Sequence, residues 1–153
     1  MAYPTSDFGP LRARPGGGGP ETAFLRRALQ LFAAVWGASG IVIAVVPRWI
    51  LVTVFDQVPY PDHTYVRICG IAALASAALA VMISRRLDDV WWWSWAFVLE
   101  SGLTALVTTL HAIVSVPAGS ASWFWWIFAV TNIVLVAVLV SGIARAGVEK
   151  PIV

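Results

Sequence analysis

The sequence predicts an all-α polytopic membrane protein: an antiparallel four-helix transmembrane bundle with both termini in the cytoplasm. Three observations predict it. Of the 153 residues, 59% are hydrophobic and 12% charged, with a mean hydropathy of +0.81. A soluble domain this small keeps too much of its surface wet to accommodate that apolar content, so lipid must replace part of the core. The apolar residues fall into four runs, each long enough for a spanning helix of roughly 20 residues. The basic residues are distributed asymmetrically around those runs. With the N-terminus inside, Arg12, Arg14, Arg26, Arg27, Arg85, Arg86, Arg145 and Lys150 are cytoplasmic, against Arg48 and Arg67 outside.

Residues 1–22 come first. They contain four prolines and the run Gly16–Gly19, and lack an apolar stretch of the kind a signal peptide needs. A flexible cytoplasmic tail is expected. The transmembrane domain is expected over residues 23–147, with helices at about 28–47, 67–84, 90–115 and 123–144, followed by a short cytoplasmic tail at 148–153.

The first run, ALQLFAAVWGASGIVIAVVP, ends at Pro47. Residues 48–66 form the one sizeable loop. Its first half is apolar enough to continue the helix or lie on the outer surface, and its second half is broken by Pro59 and Pro61. Asp62 or Thr64 then offers an N-cap for the second helix. That helix, ICGIAALASAALAVMIS, is the shortest, and flanking Arg67, Arg85 and Arg86 are able to snorkel. The loops 85–89 and 115–122 are short, which makes the helices they join antiparallel neighbours. Trp91, Trp92, Trp93 and Trp95 open the third helix at the inner face; Trp123, Trp125 and Trp126 open the fourth at the outer face, where amphipathic rings are favoured.

Glu100 interrupts the third run close to its middle. An acidic residue at that depth costs about 2.5–3.5 kcal/mol on insertion scales, and such groups face protein or a water-filled cavity rather than lipid. Thr104, Thr108 and His111 follow at i+4, i+8 and i+11, within about 80° of Glu100 on a helical wheel. One polar stripe therefore runs from mid-helix to the outer surface. Near the midpoints of the other runs lie Ser39, Ser76 and Asn132, with small residues at the same levels that let helices approach and hydrogen-bond. An intramembrane polar cluster of Glu100, Asn132, Ser39, Ser76 and Thr104 is expected. Its roles are a neutral acid that specifies packing, a proton- or ligand-binding carboxyl, or an inter-subunit contact.

A second polar cluster, His111, His63, Arg67, Asp62 and Asp56, is expected at the outer face. Its spacing matches no metal-ligand motif, and loop capping or interfacial contacts account for it. Cys69 is the only cysteine, which excludes an internal disulfide and a cysteine-built metal site. No nucleophile elbow, phosphate-binding glycine loop or haem-attachment motif is present. No metal or cofactor is expected; a haem or pigment held by His111 is the alternative. A net charge of +2 gives no ground for nucleic-acid binding.

The segments YVRICGIAALASAAL and VTTLHAI, with Arg67 and Gly70 in an Arg-x-x-Gly pattern, resemble the small DoxX-like four-helix bacterial membrane proteins over roughly residues 25–145. That resemblance implies a four-helix bundle and an accessory role without a fixed reaction. Small multidrug-resistance transporters also carry one membrane glutamate, but in the first helix, where this chain has none. The expected function is a structural or accessory subunit of a larger complex in the bacterial inner membrane. Its partners are the bilayer and other membrane subunits or further copies of itself. The alternatives are a small proton-coupled transporter using Glu100, and a membrane enzyme or cofactor protein using His111 and the outer loop. Enzymatic activity is the lesser expectation.

Overall fold

A computed structural model describes residues 20–59 and 61–149. The expected tail falls largely on residues 1–19, and the end of the chain on 150–153; both lie outside the described residues. The described residues are helical and contain no strand. Helix α1 spans Pro20–Val45, α2 Thr64–Arg85, α3 Leu87–Val90, α4 Trp95–Val114 and α5 Trp123–Glu149. A π-helical turn at Trp49–Val54 follows α1, and a 3₁₀ turn at Trp91–Ser94 joins α3 to α4. Four helical stretches are long and apolar enough to cross a membrane, the third being Leu87–Val114 as a unit.

Helix α1 begins eight residues before the expected Ala28. Pro20 opens it, at the position where a missing N–H costs nothing, and Glu21 adds a favourable charge to the first turn. Tertiary contacts hold this polar turn. Thr22 and Leu25 are buried, Arg145 of α5 lies 3.7 Å from Glu21, and the same guanidinium sits 4.7 Å over the Phe24 ring. At its other end α1 loses its hydrogen-bond ladder at Pro47, and the chain continues through the π turn. The first half of the long loop thus carries the helical course of α1 onward.

Helix α1 packs along both α2 and α5, and α4 packs along α5. Helices α2 and α4, by contrast, scarcely approach each other. The main core lies towards the end where Pro20 and Glu149 sit: Leu25, Leu29 and Phe32 of α1, Ala80 and Ile83 of α2, Phe97 of α4, and Leu139 and Ile143 of α5. The Phe32 and Phe97 rings meet at 4.8 Å. Glycines let α1 and α2 approach closely at the opposite end. A Cβ built on Gly70 would stand 2.6 Å from the Ala44 nitrogen, and one on Gly40 2.8 Å from the Gly70 oxygen. A second close approach joins α1 to α5, where Gly142 faces the Leu25 backbone.

At the end that carries the long loop, a second group of rings covers the start of α5. Phe55 packs on Trp123 and Phe124, and Phe124 on Trp125 and Phe128. Gln57 locks the loops together. Its amide nitrogen donates to the carbonyls of Phe55 and Ala121, both at 2.9 Å, while the Ala121 N–H donates to Asp56 O and the Val58 N–H to Ser120 Oγ. Asp56 takes a left-handed backbone, φ 50°, which an aspartate tolerates better than most residues.

Candidate functional site

Glu100 lies in the second turn of α4, on the side turned towards α2. Ser76 Oγ, from the middle of α2, donates to Glu100 Oε1 at 2.8 Å. The glutamate is long enough to span a gap that the backbones leave open, and it is half-buried rather than enclosed. Leu103 and Val107, which share its face at i+3 and i+7, are 61% and 63% exposed, so the carboxyl stands at the edge of the exposed surface.

Of the polar groups expected at this depth, the structure brings only Ser76 to the carboxyl. Asn132 is buried on α5, and its amide nitrogen donates to Phe128 O, one turn back in its own helix, at 2.9 Å. Its Oδ1 is buried without a hydrogen bond. Ser39 is half-buried on α1. Thr104 is half-buried; its carbonyl accepts the hydroxyl of buried Thr108 at 2.7 Å. Ser101, next to Glu100, is fully buried and its Oγ lacks a partner. Along the stripe from Glu100 to His111 the Thr108 hydroxyl turns back onto its own helix, the usual resort of a threonine within a helix.

The expected outer cluster separates into two places. His111 stacks on Trp125 of α5 with ring centroids 4.1 Å apart, and its Nε2 is buried without a hydrogen bond. His63 and Arg67 lie instead at the junction of α1 and α2. There they line a groove of about 600 Å³ together with Arg48, Trp49, Val45 and Val52. Asp62 supports the entry to α2. Its Oδ1 accepts the Thr64 hydroxyl at 2.7 Å and the Thr64 N–H at 2.9 Å, and these bonds, the hydroxyl first, hold its carboxyl below the usual aspartate range. Asp56 touches loop 115–122 through its backbone carbonyl. Among the described residues, no three histidine, cysteine, aspartate or glutamate side chains gather as a metal-ligand group.

A further groove, of about 440 Å³, opens at the other end of the same α1–α2 seam. It is lined by Arg26, Gln30, Val81, Ser84 and Arg85, and Arg26 Nε donates to the Ser84 carbonyl at 3.1 Å. Sequence reasoning missed Gln57 and Arg48 as positioning and site residues. Gln57 carries no local signal, because its partners lie across the fold. Arg48 had one: with Arg67 it brackets the long loop, so the loop carries a basic residue at each end.

No protein-family model, curated protein or solved structure matches this chain.

Proposed function

We infer that this protein is a small accessory subunit of a larger membrane complex, built as an antiparallel four-helix bundle with both termini cytoplasmic in a bacterial inner membrane. The antiparallel course is supported by contact register. Gly37 of α1 lies against Ala77 of α2, Gly40 against Leu74, and Ala44 against Gly70, so numbers rise along one helix as they fall along the other. On the opposite side Gly102 faces Val136 and His111 faces Trp125, with the same sense. The orientation rests on eight basic residues against two.

The observation that carries the accessory reading is the unfinished flank at Glu100. A mid-helix carboxyl is half-buried where α2 and α4 do not close on each other, with one hydrogen bond from Ser76. The α2 surface beside it holds the small side chains Ala72 and Ala75 together with Leu79, all exposed. Small residues beside a polar group suit the close approach of another helix, whereas bare lipid gives the carboxyl nothing to bond. A partner's transmembrane helix seated there encloses Glu100 and completes its hydrogen bonding. The accessory role that the DoxX-like resemblance implies agrees with this reading.

A second reading, a small proton-coupled transporter, is favoured by the same half-accessible carboxyl. It is weakened by Thr108, whose hydroxyl is committed to the carbonyls of Thr104 and Ala105 rather than to a relay leading from Glu100. Purification from native membranes in mild detergent separates the two. Co-isolation with a larger membrane protein in a fixed ratio is expected; an isolated dimer that binds ligand in a pH-dependent way would favour the transporter.

A further inference from the structure

The two grooves on the α1–α2 seam have a common design. Each holds a pair of arginines: Arg48 and Arg67 beside Val45, Trp49 and Val52 at the loop end, Arg26 and Arg85 beside Val81, Gln30 and Ser84 at the other. Arg85 lies eighteen residue steps along α2 from Arg67. At 1.5 Å per residue that is about 27 Å, close to the roughly 30 Å of a bilayer's hydrocarbon core. Both pairs therefore stand near the boundary of the hydrocarbon core, from which an arginine side chain reaches outward to lipid phosphates.

The loop-end groove is the more fully built. No carboxylate lines it, and no hydrogen bond or ion pair engages the Arg48 or Arg67 guanidinium among the described residues. His63 contributes a buried Nε2 that has no hydrogen-bond partner. Of the two acids in the intervening loop, Asp62 is bonded to Thr64, and neither it nor Asp56 lines the groove. Two uncompensated guanidiniums attract an anion with oxygens in a plane or fork, and phosphate is the group they fit best. The valines and the tryptophan ask for something apolar on the same ligand, and tryptophan itself favours the headgroup boundary. A free inorganic ion leaves those walls unused.

We propose that the groove formed by the end of α1, the π turn and the start of α2 binds an anionic phospholipid, with Arg48 and Arg67 on its phosphate and an acyl chain along Val45, Trp49 and Val52. Basic pockets between transmembrane helices take anionic lipid headgroups on the cytoplasmic side, and Arg48 and Arg67 offer the same chemistry at the opposite end of the bundle. The site is independent of Glu100, which lies on the flank between α2 and α4.

Native mass spectrometry of the delipidated full chain, titrated with phosphatidylglycerol or phosphatidylcholine, tests the proposal. Wild type should retain phosphatidylglycerol in preference to phosphatidylcholine. The R48A/R67A variant should bind it about tenfold more weakly, while R27A, an exposed arginine outside both grooves, should bind like wild type. Glycerol phosphate at millimolar concentration should not displace the lipid. Displacement would move the assignment from a lipid to a soluble phosphate compound and overturn it. Equal retention by wild type and R48A/R67A would overturn it too, as would an equal loss in R27A, which marks diffuse surface attraction. Should R48A/R67A fail to fold, Arg67→Gln keeps a polar side chain of similar reach and carries the same comparison.

Discussion

Ser76 Oγ and Glu100 Oε1 are joined by a 2.8 Å hydrogen bond across two helices whose backbones scarcely approach. The bond places a carboxyl at the middle of the Leu87–Val114 stretch without enclosing it. If its role is structural, Glu100→Gln should be mild, because the amide keeps the size and accepts the same hydroxyl. Glu100→Leu should cost about 1–2 kcal/mol, since Ser76 is left with no partner on α4. Thermal unfolding in detergent measures both, and a double-mutant cycle with Ser76→Ala should return a coupling near 0.6 kcal/mol. Zero coupling would show that the bond contributes nothing.

The seam between α1 and α2 should be intolerant of even one methyl group. At Gly70 the added carbon would meet the Ala44 nitrogen at 2.6 Å, and backbone cannot swing aside as a side chain does. Gly70→Ala should therefore destabilise by about 1–3 kcal/mol. Gly102→Ala is the control. Its new methyl would find only Val136 Cγ2 at 3.9 Å, and an alanine there should be neutral or gain about 0.5–1 kcal/mol of helix stability. Equal melting temperatures for the two variants would contradict the close approach.

Gln57 ties two loops that are far apart in sequence. It is 6% exposed, and Gln57→Leu would leave the carbonyls of Phe55 and Ala121 without their donor, at about 1–3 kcal/mol in total. Hydrogen exchange should speed up at Gln57, Val58, Ser120 and Ala121 while α1 and α5 stay protected. Unchanged exchange in both loops would show that the latch is dispensable.

Asp62 gives the entry to α2 a pH dependence of defined sign. Its folded pKa is depressed by the Thr64 hydroxyl and N–H, so its contribution is present above the unfolded value of about 3.9 and is lost as pH falls through the folded value. The first turn of α2 should fray below about pH 4, seen as faster exchange at Thr64 and Arg67, whose amides are bonded to Asp62 and His63. Asp62→Asn should show no such acid step. An acid step that persists in the variant would assign it to another group.

Much of this was legible in the sequence, and particular residues show why. The four spanning stretches follow from run length and hydropathy, properties of the chain alone. The early start of α1 does not: Glu21, Arg26 and Arg27 read as the edge of a polar tail, and only the contacts of Arg145 with Glu21 and Phe24 explain a helix there. Glu100 announced itself by its cost in a membrane. Its partner did not follow. Ser39, Ser76 and Asn132 were equivalent by depth, and helix contacts alone favour Asn132 on α5; Asn132 instead satisfies its amide nitrogen on the Phe128 carbonyl, and the long glutamate side chain reaches Ser76 of α2. The outer polar residues were grouped by loop proximity, but His111 belongs with Trp125 and His63 with Arg48 and Arg67, a division made by packing.

Topology is open to direct labelling. In a Cys69→Ser background, Ser120→Cys should react with a membrane-impermeant thiol reagent from outside intact cells, and Asp88→Cys should react only after lysis. External labelling at position 88 would overturn the inside placement of both termini.

The most direct test of the accessory role compares what wild type, Glu100→Gln and Glu100→Leu bring with them from native membranes. Each tagged protein is extracted in mild detergent, and the ratio of co-isolated membrane protein to the 16.5 kDa chain is measured. The expected result is a fixed ratio for wild type, kept by Glu100→Gln and lost by Glu100→Leu, with all three chains folded. Isolation of all three only as monomers or homodimers, with no stoichiometric partner, would contradict it.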